Sequence, residues 1–326
     1  MRNKNIQFSF LVIMMLASMV ACKKEEYTIP DPVSLLTNDC IKRTIGPSIV
    51  SLPLEFAYAM AIPKSSGKLV SAQVEASIAG ASGTYLEHRS FYTNSGGVDV
   101  PVLVGSPSLT VDKTTKMTYS IDTNAATLRY NYVIPEGARG QSVSFTFSVT
   151  SSDGKTASYK MGPYTISKMS IKRNLAVSNG VNAYISIEDM AVYNAAAAAA
   201  APGKIDLVYL FRAAPTTFTH ALVSPAADAA YLPGVTLPAG LNRSTKLRKV
   251  FNLQDRNLAN LQFGIYVDDV DLINVDMVDM PNYAIGLRAE AGVWVETADK
   301  KYRAYIFVNS INAAGTAVIS MLRYTL

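Results

Sequence analysis

Strict alternation of apolar and polar residues is the feature that most constrains how this chain of 326 residues can fold. Residues 142–149 read SVSFTFSV, and residues 70–78 read VSAQVEASI. Because successive side chains of a strand point to opposite faces, each segment places its apolar groups on one face and its hydroxyl groups on the other. The pattern therefore predicts sheets with one covered face.

Further candidate strands follow the same pattern and are separated by turn signals rich in Gly, Ser and Asp. They are residues 50–60, 116–121, 128–134 and 157–166. Six or seven short strands within about 120 residues are typical of an immunoglobulin-like sandwich. We predict such a sandwich over residues 46–168, with Tyr130 and Tyr132 in its core.

The pattern changes near residue 169. Residues 188–201 favour a helix, since Ser186-x-x-Asp189 resembles a capping box and Pro202-Gly203 would end the helix. A second short helix is predicted from Asp255 to Leu261. The candidate strands around them are residues 181–187, 204–212, 292–297, 302–311 and 316–324. Residues 169–326 are therefore predicted to form an α+β, helix-decorated domain in a chain that is mainly β.

The N-terminus indicates export. Residues 1–21 combine a positive start with an apolar run that is too short for an ordinary membrane span, as in a signal peptide. Met19-Val20-Ala21-Cys22 resembles the bacterial lipobox, which implies that Cys22 carries lipid and anchors the chain to a membrane. The charged tetrad 23–26 resembles the signal that sends Bacteroidetes lipoproteins to the outer face of the outer membrane. Residues 22–45 would then comprise the lipidated cysteine and a linker.

Composition argues against a nucleic-acid partner and against an intramolecular disulfide. Removal of residues 1–21 leaves 28 of the 30 basic residues against 25 acidic ones, so no nucleic-acid partner is expected. The chain has two cysteines, and lipidation of Cys22 leaves Cys40 without an intramolecular partner. Cys40 is then either a reactive thiol, an intermolecular crosslink or, as free cysteines commonly are, an inert apolar residue.

The likeness to a known family runs from the signal peptide to the C-terminus. The segments that carry it include KIDLVYLF, STKLRKVF and VWVETADKKYRAYIFVNSI. They resemble a family of two-domain Bacteroidetes lipoproteins known as a domain of unknown function. A broader similarity is with surface glycan-binding lipoproteins, which also place an immunoglobulin-like spacer before a distal domain.

Candidate catalytic and metal-binding residues are sparse. His220, Ser224 and Asp228 have the types needed for nucleophilic catalysis, but a triad is usually assembled from separate elements. No cofactor or zinc motif is present, so no cofactor is expected. Asp268, Asp269 and Asp271 are weak candidates for calcium ligands because the EF-hand spacing is absent, and a solvated edge beside the basic run 243–249 is the alternative. A carboxylate pair for glycoside hydrolysis, such as Glu290 and Glu296, stays open.

Trp294, the only tryptophan, marks the best candidate for a carbohydrate site. Such sites combine aromatic faces with hydrogen-bonding side chains, because sugar rings carry apolar C–H patches rimmed by hydroxyls. A hairpin over 292–311 would bring Trp294 near four further candidates, Glu296, Tyr302, Arg303 and Tyr305. Either Trp294 points outward beside Glu296, or it fills the core while Val293 and Val295 face out.

These features predict a non-catalytic, surface-anchored lipoprotein that binds an extracellular ligand, with glycan as the favoured ligand. The first alternative is a structural or adhesive surface protein that assembles with protein partners through exposed strand edges. An extracellular hydrolase is the third hypothesis.

Overall fold

The computed structural model describes residues 35–259 and 264–326. The predicted signal peptide, Cys22 and the linker before residue 35 lie outside the described residues. The prediction of a mainly β, helix-poor chain is confirmed, with 49% strand and 7% helix. Among the described residues, no helix is both long and apolar enough to cross a membrane.

Eleven strands of the described chain precede residue 167. They are β1 (Thr37–Lys42), β2 (Pro53–Ala61), β3 (Leu69–Ala76), β4 (Tyr85–Leu86), β5 (Arg89–Thr93), β6 (Asp99–Leu103), β7 (Leu109–Val111), β8 (Thr114–Thr118), β9 (Ala125–Val133), β10 (Ser142–Ser151) and β11 (Thr156–Thr165).

Two antiparallel sheets of these strands share one core. Their orders are β1-β2-β9-β4 and β11-β10-β3-β8-β7, while β5 and β6 form a separate hairpin. Large rings fill the core, among them Phe56, Tyr58, Phe145 and Phe147, and the centroids of Phe56 and Phe145 lie 4.9 Å apart. Tyr130 and Tyr132 are fully buried in the same cluster, as the alternation predicts. The serines and threonines between Ser142 and Thr150 are exposed or partly exposed on its other face.

The predicted linker ends earlier than the boundary at residue 45, because β1 lies within it and pairs with β2 over six residues. Hydrogen bonds along β2 therefore attach this segment to the first sandwich. Cys40 lies in β1 and is buried among its apolar residues. Burial, with the charge of Asp39, raises the pKa of the Cys40 thiol to about 12, so the reactive thiolate is disfavoured.

The second region contains ten strands and two short α-helices among its described residues. The strands are β12 (Ser170–Ser178), β13 (Asn182–Ser186), β14 (Ala191–Asn194), β15 (Leu207–Arg212), β16 (Thr219–Val223), β17 (Lys246–Val250), β18 (Tyr283–Leu287), β19 (Gly292–Glu296), β20 (Tyr302–Ile311) and β21 (Thr316–Thr325). The helices are α1 (Ala195–Ala200) and α2 (Asp269–Asn274). Short 3-10 turns span Glu136–Ala138, Pro202–Lys204 and Ala229–Tyr231.

These strands form a second sandwich with covered outer faces. The sheets β12-β21-β20-β19-β17 and β14-β13-β15-β16-β18 enclose a core that includes Val293 and Val295. The outer face of the first sheet packs on the segment that contains α2, and the outer face of the second packs on α1 and the loop residues 227–241. The second region thus has four layers, which is why all five residues of β19 are buried.

The cluster beneath α2 also joins the two sandwiches. Ile49, which precedes β2, lies in the same buried cluster as Met169 and Leu272. The Asp269 carboxylate accepts hydrogen bonds from the Ser167 hydroxyl and from the Lys168 backbone N–H, the latter at 2.9 Å. Residues 36–326 accordingly form one compact unit.

Both predicted helices require correction. Residues 191–194 form β14, and α1 begins only after Asn194, whose side chain accepts the Ala197 N–H as the N-cap. The Ser186 hydroxyl does accept the Asp189 N–H, but it closes a turn between β13 and β14. Pairing of β14 with β13 overrides the helix propensity of the residues before Asn194. Residues 255–259 form a turn, and the rest of the predicted Asp255–Leu261 helix lies outside the described residues.

Candidate functional site

The predicted carbohydrate hairpin forms, and it places Trp294 opposite Tyr305 on neighbouring strands. Trp294 is only 7% exposed and Tyr305 is fully buried, with their ring centroids 4.7 Å apart. The Tyr305 hydroxyl donates to the carbonyl of Leu253. Of the two orientations considered, Trp294 takes the buried one, although Val293 and Val295 are buried as well. Both rings therefore pack between the sheet and α2.

The polar members of this hairpin hold the α2 layer in place. Arg303 and Glu296 form an ion pair at 2.8 Å, and Arg303 also donates to the carbonyl of Ile273 at 2.5 Å, in α2. Tyr302 lies beneath the Arg323 guanidinium, 5.1 Å from ring centroid to Cζ. Glu296 and Arg303 line a small recess of about 290 Å³. The ligand-binding role of these residues stays a prediction, while their contacts give them a structural role.

The acidic cluster caps α2. The Asp268 carboxylate accepts the N–H groups of Val270 and Asp271, and the Asp271 carboxylate accepts the Asp268 N–H, which completes a capping box. Within 35–259 and 264–326, no group of three or more His, Cys, Asp or Glu side chains could hold a metal ion.

The three residues considered for nucleophilic catalysis each have a separate partner. The Nδ1 atom of His220 lies 2.6 Å from the Tyr209 hydroxyl, inside the second sandwich. The Ser224 hydroxyl donates to the carbonyl of Arg243, and Asp228 caps the 3-10 turn at Ala230. Both His220 and Ser224 are buried. The structure assembles no triad from them.

A groove at one end of the second sandwich has the form of a ligand site. It encloses about 1150 Å³ where strands of both sheets end. Phe211 and Leu287 come from the ends of β15 and β18, and Lys249 and Phe251 come from the end of β17. Asn312, in the turn after β20, forms part of the wall. A typical small-molecule site encloses roughly 300–1,000 Å³, so this groove has room for a larger ligand.

The lining of this groove combines exposed apolar surface with hydrogen-bonding groups. Phe251 is 58% exposed, and Phe211 is half-buried, with its ring centroid 4.7 Å from that of His220. Burial lowers the pKa of His220, which favours its neutral form. Thr216 and Thr217 bring hydroxyl groups to the same surface.

A glycine shapes the wall of the groove next to its basic side chains. Gly286 has a φ of +64°, and its N–H donates to the carbonyl of Phe218 at 2.7 Å. A Cβ at this position would lie 3.0 Å from the carbonyl oxygen of Thr217 and 3.8 Å from the Lys249 Nζ atom. Glycine therefore permits both the backbone conformation and the close approach.

No sequence pattern predicts this groove, because strands that are distant in the chain contribute to it. In the sequence, Lys249 is part of a basic run that could balance the acidic cluster. One signal was present in the sequence, since Lys249-Val250-Phe251 places a cation and an aromatic ring on the same side of an extended chain. The contribution of Arg288 depends on the pairing of β16 with β18, which no local pattern indicates.

Two family models match the chain. DUF4466, described as a domain of unknown function, matches residues 33–166, and DUF8576, with the same description, matches residues 167–326. These matches and the homologous structure below support the two-domain family expected from the sequence. No curated protein matches the chain.

Two solved structures illustrate the range of similarity. BcpA, the major pilin subunit of Bacillus cereus, is 8% identical over 89% of this chain and 67% of its own, and its TM-score of 0.29 is too low to indicate a common fold. A crystal structure of a DUF4466 family protein from Parabacteroides merdae is 48% identical, with a TM-score of 0.86. The match covers 90% of this chain and all of the other. On that identity and coverage, the chain belongs to the DUF4466 family.

Proposed function

We propose that this protein is a surface-anchored, non-catalytic lipoprotein that binds glycan in the groove of its second sandwich. The observation that carries the proposal is the exposed ring of Phe251 beside hydroxyl and amide side chains in a cavity of about 1150 Å³. An aromatic face can stack on the apolar C–H patch of a sugar ring, and the hydroxyl groups of Thr216 and Thr217 can exchange hydrogen bonds with its hydroxyls.

The charged residues that line the groove are basic, which favours binding over hydrolysis. Glycoside hydrolases generally use two carboxyl groups on either side of the scissile bond. None of the described residues that line the groove is acidic. Glu290 lies in the neighbouring turn, where its carboxylate accepts the Gln254 amide at 2.9 Å.

Phe251→Ala tests the groove. We expect at least a tenfold loss of affinity for a glycan identified on an array, because the loss of one stacked ring costs on the order of 1–3 kcal/mol, by the precedent of bases that stack on aromatic side chains. Since Phe251 is exposed, the melting temperature should change little. Tyr92→Ala is the matched control, because Tyr92 is 56% exposed in the separate hairpin of β5 and β6 and does not line the groove. Unchanged glycan affinity in Phe251→Ala would place the binding site elsewhere.

The proposed location rests on the lipobox and the charged tetrad after it, which lie outside the described residues. Cys22→Ala should release the protein from the membrane fraction of the native host, because the acyl chains supply the membrane affinity. Cys40→Ala is the control, since Cys40 is a buried residue of β1 and should not affect the anchor. Retention of Cys22→Ala in the membrane fraction would contradict lipid anchoring.

A further inference from the structure

Two cationic residues line the groove. Lys249 lies near the end of β17, and Arg288 directly follows β18. Several other cations pair with carboxylates, as Arg129 does with Asp99 and Arg303 with Glu296. Within residues 35–259 and 264–326, neither Lys249 nor Arg288 makes an ion pair. Arg288 is also exposed, so its guanidinium is available to solvent or to a ligand.

Lys249 is held in position without its charge being neutralised. Its Nζ donates to the carbonyl of Ile285 at 2.7 Å and lies 5.2 Å from the centroid of the Phe251 ring. An ammonium has three donors, so this arrangement leaves donors for a ligand. Burial, the larger cause, and the like charge of Arg288, the smaller one, both lower the pKa of Lys249.

An anion between these side chains would relieve the repulsion. Arg288 could bind a carboxylate or sulfate through two parallel N–H donors, and Lys249 would add a charge-assisted hydrogen bond. The Phe251 ring next to Lys249 would meanwhile face the sugar ring that carries the anionic group. A neutral sugar would gain the stacking contact but would leave the two charges uncompensated.

We infer that the groove binds an acidic glycan, one that carries carboxylate or sulfate groups, with Lys249 and Arg288 as the anion contacts. The inference rests on the proposed glycan-binding function and specifies its ligand class. The charge of the groove, and not its volume, selects the ligand.

The test compares glycans that differ only in charge. Isothermal titration of the full-length protein would use oligogalacturonate and its methyl ester, and a sulfated galactan oligosaccharide and its desulfated form. We expect at least one acidic form to bind ten times more tightly than its neutral counterpart. Inorganic sulfate alone should bind more weakly than that glycan, because it lacks a ring to stack on Phe251.

Matched variants assign the effect to the two cations. Lys249→Gln/Arg288→Gln should lower the affinity for the acidic glycan at least tenfold, while Lys113→Gln/Lys160→Gln, which removes the same charge from exposed positions of the first sandwich, should retain it. This inference would be overturned if acidic and neutral forms bound equally, and if Phe251→Ala reduced that binding while Lys249→Gln/Arg288→Gln did not. Glycan binding in the groove would then still stand. Failure of both the acidic and the neutral glycans of a broad array to bind would contradict the two proposals together.

Discussion

Replacement of Trp294 by alanine is expected to lower the free energy of unfolding by about 4 kcal/mol, since large aromatic-to-alanine changes in a core cost roughly 3–5 kcal/mol. Trp294 packs against Tyr305 and lies in one cluster with Leu258 and Leu272, so its removal opens a cavity between the sheet and the α2 layer. Urea denaturation followed by circular dichroism measures the change.

A second substitution separates loss of packing from loss of binding. Trp294→Phe keeps a ring in the same place and should recover more than half of the lost stability, because a smaller cavity remains. Phe251→Ala should unfold at nearly the same urea concentration as the wild type. Wild-type stability in Trp294→Ala would contradict the packing role and return Trp294 to consideration as a ligand contact.

Asp206→Ala is expected to cost about 3 kcal/mol, a loss typical of breaking a buried ion pair. The Oδ1 atom of Asp206 lies 2.8 Å from the Nε of Arg243, and Oδ2 accepts the Ile187 N–H at 2.8 Å. Alanine leaves that buried N–H without its acceptor. Arg243 keeps a second carboxylate, Asp299, at 3.1 Å, which limits the loss. Urea denaturation monitored by Trp294 fluorescence gives the free energy.

The charge of Asp206 adds a pH dependence with a defined sign. Burial raises the pKa of Asp206 to about 6, so the folded state holds this proton more tightly than the unfolded chain, where the pKa is about 3.9. The stabilisation from the bound proton is complete below about pH 4 and is lost as the pH rises through 6. Asparagine resembles the protonated form. The free energy of unfolding of Asp206→Asn, relative to that of the wild type, should therefore rise by roughly 2 kcal/mol from pH 4 to pH 7.5. An equal difference at the two pH values would contradict this assignment.

Sequence patterns predicted the strands whose two faces differ. The alternating segment 142–149 forms most of β10, and the alternating segment 70–78 contains all of β3 except Leu69. The short strands β4 to β7 were missed, because several of their apolar residues, such as Val102 and Leu109, are exposed and do not alternate with a buried face. The orientation of Trp294 could not be decided for a related reason. An argument from alternation assumes that one face of a strand is exposed to water, and neither face of β19 is exposed.

The groove could not be predicted because it depends on which strand ends meet. Phe211, Lys249 and Arg288 are far apart in the chain and follow different strands. Register within each sheet and the facing of two sheets bring them together, and neither follows from local alternation. Residue types alone drew attention to the Trp294 hairpin, where the aromatic rings serve packing.

The packed cluster around Ile49, Met169 and Leu272 has a mechanical consequence. Two domains joined by a bare linker can swing independently, so the linker transmits tension but not bending. Here the hydrogen bonds of Asp269 to Ser167 and Lys168 clamp the junction, and the buried cluster resists bending. A bending load applied at the groove would therefore be transmitted to the first sandwich. Residues 36–326 would respond to such a load as one rigid body.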